Sequence, residues 1–220
     1  VVLMVLLVIV GTILDMMHKK SAQYFFENAK KAQKSAKRSV GGGEKVAIAT
    51  SVLVKEVLTS GEFDNPRRRL SHLLTMWGTI IFIVTTAIII FAPAATTSAL
   101  VPKLWHIGAM MLAVGGYWFW FFIRADVAAE GLSWFRFERA DLFILSLLAT
   151  STFALIWSFT GGGVTVYFAL FILSSTVLFG GVYWSKFAHM FFKPAAAFQK
   201  RITTADGSRE NLPPAYDLTD

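Results

Sequence analysis

Cysteine is absent from all 220 residues. These residues therefore hold no disulfide, no thiolate zinc site, no cysteine-ligated iron–sulfur cluster and no cysteine nucleophile. Charge is scarce as well, at 16% of residues, against roughly 25% in an ordinary soluble domain. Two catalytic signatures are missing, GxxxxGK[ST] and HExxH, which removes the phosphate-loop and zincin readings. Asp15, Asp126 and Asp141 fall near the ends of apolar stretches. The mid-membrane acids and inverted repeats of a proton-relay transporter are therefore lacking too. What is plentiful is apolar: 55% hydrophobic and 15% aromatic residues, with a mean hydropathy of +0.56. That excludes a disordered chain and argues against a water-soluble globule.

A membrane span needs roughly 20 apolar residues at about 1.5 Å each. Four stretches qualify: 71–92 (SHLLTMWGTIIFIVTTAIIIFA), 103–123 (KLWHIGAMMLAVGGYWFWFFI), 141–160 (DLFILSLLATSTFALIWSFT) and 165–189 (TVYFALFILSSTVLFGGVYWSKFAH). A fifth, 1–14, is apolar throughout but short, about 21 Å as a helix. It opens on Val rather than Met, so this helix is expected to extend upstream. No basic residues precede it and no small-residue cleavage site follows, unlike a signal peptide.

The net charge of +7 is unevenly placed. Between positions 17 and 70 there are 12 Lys and Arg, the 124–139 loop adds three, and the stretch from Lys186 onward adds five. Lys103 alone falls in a loop on the opposite side. By the positive-inside rule this expects an N-terminus outside, five helices and a C-terminus inside. The excess charge thus serves topology and anionic lipid rather than nucleic acid. The expected fold is an all-α integral membrane bundle of five transmembrane helices, N-out/C-in, with amphipathic helices in the first cytoplasmic loop. The divisions are 1–17, first span; 18–70, basic loop; 71–192, four-helix core; 193–220, cytoplasmic tail.

The basic loop is helix-prone. Residues 18–39 (HKKSAQYFFENAKKAQKSAKRS) either continue the first helix into the cytoplasm or lie along the interface. Gly41, Gly42 and Gly43 should break the chain there. Residues 44–60 then place Val46, Ala49, Leu53 and Val57 near one face of a second amphipathic helix. Such a loop can pack on lipid headgroups, dock a cytosolic subunit, or do both. The tail ends NLPPAYDLTD, where Pro213 and Pro214 stop any helix.

Ionisable groups at membrane depth are costly and point to function. Of four histidines, His72 opens the second span and His189 closes the fifth, so both fall at the cytoplasmic edge. Two imidazoles at one depth on two helices can take opposite axial positions on a haem iron through a neutral ring nitrogen. Arg67, Arg68, Arg69, Lys186, Arg124 and Arg139 share that edge and can pair with haem propionates. The plain alternative is two interfacial histidines bonded to water or backbone. His106 lies near the outer end of the third span and reads as a polar lining group, suited to a quinone head. His18 sits at the inner end of the first span. Gly115 and Gly116, with Gly180 and Gly181, either make room for a flat macrocycle or let helices approach closely. The aromatic run 117–122 (YWFWFF) suits lipid contact and interfacial anchoring.

Four motifs together, RRLSHLLTMWGTIIF, LAVGGYWFWFFIR, ERADLFILSLLATSTFALIWSF and WSKFAHMFFKPAAAFQKR, resemble the later spans of membrane cytochrome b subunits of the nitrate reductase gamma-chain type. The heterodisulfide reductase membrane subunits belong to the same group. The resemblance covers about 67–201. The wording WSKFAHMFFKPAAAFQKR with ADGSRENLP is most similar to the membrane anchor of dissimilatory adenylylsulfate reductase and to the membrane part of the quinone-interacting membrane-bound oxidoreductase. It implies five helices, b-type haem, a quinone partner, a cytosolic iron–sulfur or flavoprotein subunit and residence in the inner (cytoplasmic) membrane. The family's inner haem pair carries over onto His72 and His189. The sequence departs elsewhere: the nitrate-reductase type carries a further histidine deeper in the second span and another within the fifth, and those places here read Phe82 and about Phe171. A second haem would need other ligands, and any iron–sulfur cluster must belong to a partner. On this reading the chain is an electron-transfer subunit rather than a stand-alone enzyme; the rival expectation is a haem-free anchor that docks a soluble reductase.

Overall fold

The computed structural model describes residues 2–19, 21–61, 63–93, 95, 97–124, 137, 141–182 and 193–208. All regular structure among them is helical. Eight helices follow in order: α1 (Val2–Lys19), α2 (Ser21–Lys34), α3 (Gly42–Ser51), α4 (Pro66–Phe91), α5 (Leu100–Trp118), α6 (Leu142–Phe159), α7 (Val166–Gly181) and α8 (Lys193–Ala205). Two run on into wider π-type turns, α3 over Val52–Leu58 and α5 over Phe119–Ile123.

The chain divides into two compact units. One gathers α4, α5, α6 and α7 with the first turns of α1; the other gathers the rest of α1 with α2, α3 and α8. Three helices, Pro66–Phe91, Leu100–Ile123 and Leu142–Phe159, are long and apolar enough to cross a membrane, and Val2–Asp15 and Val166–Gly181 are shorter apolar helices. Large apolar side chains such as Ile83, Val84, Ile90, Phe122 and Leu173 face outward, as contact with lipid would allow.

Local chemistry sets the ends of the first unit's helices. Asn65 caps α4: its Oδ1 accepts the Arg67 and Arg68 backbone N–H groups at 2.9 and 3.4 Å, and Pro66 follows at a position that has no N–H to lose. Helix α4 therefore begins five residues before the expected boundary at 71, with Arg67, Arg68 and Arg69 in its first turn. Between α6 and α7, Gly161, Gly162 and Gly163 all take positive φ, 92°, 70° and 78°, which side-chain-bearing residues rarely adopt. The Trp157 indole N–H closes this turn on the Gly163 carbonyl at 2.7 Å.

Helices α4 and α5 meet along glycines. A Cβ on Gly78 would lie 2.9 Å from Leu112 N, and one on Gly115 would lie 3.0 Å from Ser71 O. Ser71 reinforces the contact by donating to the Gly115 carbonyl at 2.9 Å. The buried core runs through Phe82, Trp105, Ala109, Leu112, Leu147, Ala154, Phe171 and Leu178.

In the second unit α1 reaches Lys19 and α2 is a separate helix. The break expected at the three glycines falls earlier, after Lys34; Gly41 caps α3, and Gly42 and Gly43 open it. Arg38 ties this unit together. Its guanidinium grips both Glu44 oxygens (3.0 and 2.5 Å) and the Ala205 carbonyl (2.6 Å). The Lys37 and Arg38 N–H groups both donate to Asp206 O. Arg201, on α8, donates to Glu56 at 2.9 Å and Ser51 at 3.1 Å.

Candidate functional site

The four helices of the first unit run alternately away from and back toward the end that carries Arg67, Arg68, Arg69 and Arg124. His72 lies six residues into α4, about 9 Å from that end. It is half-buried. Its neighbours on the chain hold its backbone: Ser71 reaches across to α5, and the Thr75 hydroxyl donates to the carbonyls of Ser71 and His72 at 2.9 and 3.0 Å. Arg67, Arg68 and Arg69 are exposed around the same end. His189 and Lys186 lie outside the described residues, as does Arg139. His18 falls in the last turns of α1.

Phe82 on α4 and Phe171 on α7 come together. Their ring centroids are 6.2 Å apart, edge to face. Trp105 packs on Phe82 at 5.1 Å, Trp157 stacks on Phe171 at 6.1 Å, and the two indoles meet at 6.3 Å. Trp105 donates to Thr86 Oγ1 at 2.9 Å, which satisfies its buried N–H. These rings fill the bundle far from the arginine end, about 24 Å along α4.

Nearer the arginine end the same helices are lined differently. Ser174 and Ser175 are buried on α7, three and four residues from Phe171 and hence on its face. Ser146, Thr150 and Ser151 are buried on α6. Most hydroxyls here bond back to their own helix, as Ser146 does to Phe143 O and Ser174 to Phe171 O. Thr150 Oγ1 is buried with no hydrogen-bond partner among the described residues, about 12 Å along α6 and so close to the depth of His72.

Gly115 and Gly116 serve helix packing. Gly115 is filled by Ser71, Leu74 and Thr75 of α4, and Gly116 by Leu148 of α6. His106 sits at the far end with both ring nitrogens engaged: Nδ1 is 2.7 Å from Pro102 O and Nε2 is 2.6 Å from Ser158 Oγ. A carbonyl only accepts, so Nδ1 donates to Pro102 O, while Nε2 is hydrogen-bonded to the Ser158 hydroxyl. His106 thus links α5 to α6 between the rings of Trp105 and Phe159.

Two features were not read from the sequence. Ser158 gave no signal of its own. Arg124 and Asp141 form a bidentate ion pair, with Arg124 Nε on Asp141 Oδ1 at 2.7 Å and the guanidinium 4.1 Å above the Trp120 ring. Opposite charges at the ends of consecutive spans were the available clue. The chain matches no protein-family model, no curated protein and no solved structure.

Proposed function

We propose that this chain is the membrane subunit of a redox complex. It carries electrons between a quinone and a cytosolic iron–sulfur or flavin protein through b-type haem near the cytoplasmic face. The reading includes five spans, N-out and C-in, in the inner membrane, and a place in dissimilatory sulfur metabolism beside an adenylylsulfate reductase. The observation that carries it is the meeting of Phe82 and Phe171. If the resemblance holds, Phe82 and about Phe171 stand where the nitrate-reductase type bears histidines, and their meeting supports a haem between α4 and α7. His72 lies on α4 about 15 Å nearer the arginine end.

The described part of the site, His72 and the arginines around it, suits such a group. His72 would hold iron through a ring nitrogen, with His189, outside the described residues, as the second ligand, and Arg67, Arg68, Arg69 and Lys186 would offset propionate charge. The Thr150 hydroxyl, without a hydrogen-bond partner among the described residues, gives a polar group near that depth, and the buried Ser174 and Ser175 lie about 10 Å farther from the arginine end. Gly115 and Gly116 are filled by atoms of α4 and α6, so neither leaves room for a flat group against α5. Haem, when bound, supplies reversible one-electron chemistry at iron. The chain's own part is to fix the imidazole, exclude water and neutralise charge. The aromatic cluster at Phe82 and Phe171 occupies the other half of the bundle, which supports one haem rather than two.

A haem-free anchor is the second reading, favoured by the separate unit that Arg38 ties together. The test is a reduced-minus-oxidised spectrum of the purified chain and of H72A and H189A. We expect b-type bands in the parent and their loss in both variants. A parent without such bands leaves the anchor.

A further inference from the structure

We infer that α2 is seated on the cytoplasmic leaflet, with Phe26 inserted at the headgroup boundary and Lys30, Lys31 and Lys34 on anionic headgroups. The inference rests on the reading of α1 as the first span. Apolar sequence in α1 covers Val2–Asp15, α1 ends at Lys19, and α2 begins at Ser21. One intervening residue reaches no more than about 3.6 Å. The start of α2 is therefore held wherever α1 leaves the bilayer.

The two sides of α2 differ. Phe25, Ala29 and Ala32 recur at helical spacing and are half-buried, and α8 packs against this helix. Phe26, one position on, is 62% exposed. Lys30 and Lys34 follow it at steps of four, with Lys31 beside them, all exposed. These three lysines make no ion pair among the described residues, and the helix's acid, Glu27, accepts from Gln23 at 2.8 Å instead. An exposed phenyl ring ringed by lysines gains little in water. At an anionic bilayer surface the ring leaves water, and the ammonium groups meet phosphate. Helix α3 and its continuation repeat the pattern. Val46 is 66% and Leu53 52% exposed, seven residues apart, with Lys45 and Lys55 close by in sequence. An acidic soluble protein would account for the lysines. It would not account for their place on the helix that directly follows the apolar α1.

Because the chain has no cysteine, single nitroxide labels need no background removal. The full chain would be labelled at F26C, and separately at I9C, in nanodiscs of phosphatidylcholine alone or with roughly a third phosphatidylglycerol. The readout is accessibility to oxygen against a water-soluble nickel chelate. We expect the label at position 26 to favour oxygen in the anionic discs. Each Lys→Gln change at Lys30, Lys31 or Lys34 should lower the ratio of seated to released helix roughly fivefold. A nickel-accessible label at 26 in both lipids, or one shielded from both reagents by protein, overturns the inference while I9C remains lipid-exposed. A nickel-accessible I9C overturns the first-span reading and the inference with it. The b-band spectrum of the same discs reports separately on the haem.

Discussion

Replacing Gly108 with alanine tests how α4 and α5 are held. The new methyl would lie 2.8 Å from Phe82 N and 3.1 Å from both Gly78 O and Phe82 Cα. All three are backbone atoms, so no side-chain rotation can clear them. Favourable carbon contacts lie at about 3.5–4.0 Å, so α4 must retreat by several tenths of an ångström and carry Phe82 with it. Overpacking of this kind costs about 1–3 kcal/mol. Alanine's helix preference over glycine returns at most about 1 kcal/mol. G181A is the control, since no described residue lies within 4 Å of its Cβ; it should be neutral or stabilising. G116A should fall between, because its contact at 2.8 Å is the mobile end of Leu148. Thermal unfolding of the purified chain in detergent, followed by circular dichroism and tryptophan fluorescence, reads the order. At about 2–4 °C per kcal/mol for a chain this long, G108A should melt several degrees below G181A. If G108A is as stable as G181A, the close seam between α4 and α5 is wrong.

Removing Asp141 as D141A takes the bidentate carboxylate from the Arg124 guanidinium, whose side chain is only 15% exposed, and should cost up to about 3–5 kcal/mol. The double variant R124M/D141L should recover most of that in the same melt. S158A should cost about 1 kcal/mol and remove the hydroxyl bonded to His106 Nε2, which nitrogen NMR of labelled histidine would detect as a shift at Nε2 with Nδ1 still protonated. In the second unit, the Arg38 hydrogen bond, followed by the Arg38 charge, holds the Glu44 carboxyl below its ordinary value of 4.5. A lowered folded value means the contact is fully present above that value and lost as pH falls below it. The Lys37 and Arg38 amide resonances should therefore shift in acid and stay fixed near neutrality, and E44Q should abolish the acid transition.

The apolar lengths made α4, α5 and α6 legible, because a span is a matter of composition over about 20 residues. The start of α4 was missed, since hydropathy begins at Ser71 while the Asn65 cap and Pro66 set the helix boundary. The three glycines mark a helix boundary, but Gly42 and Gly43 open α3 while α2 already stops at Lys34. At the candidate site, the depth of His72 was readable from its place in a span. The pairing of Phe82 with Phe171 required the helices to be brought together. Likewise Gly115 and Gly116 look alike in sequence, and only packing shows that one meets α4 and the other α6.

The hydroxyls of the bundle explain why sequence says so little about its polar interior. Thr75, Thr79, Thr85, Ser146, Ser151 and Ser174 donate to carbonyls three or four residues back on their own helices. Each is satisfied within its own helix and leaves partner choice undetermined. Ser71 is different, because its bond crosses to Gly115. That bond, next to His72 in the chain, fixes the rotation of α4 about its axis where the imidazole leaves it. Thr75 then bonds the His72 carbonyl from the following turn. The Ser71 bond fixes where the His72 Cα–Cβ bond leaves the helix, one condition for a preorganised site. A mobile interfacial histidine would need neither restraint. On the proposed reading, S71A should therefore disturb the b-haem bands although Ser71 itself touches no ligand, and unchanged bands in S71A would remove the positioning role.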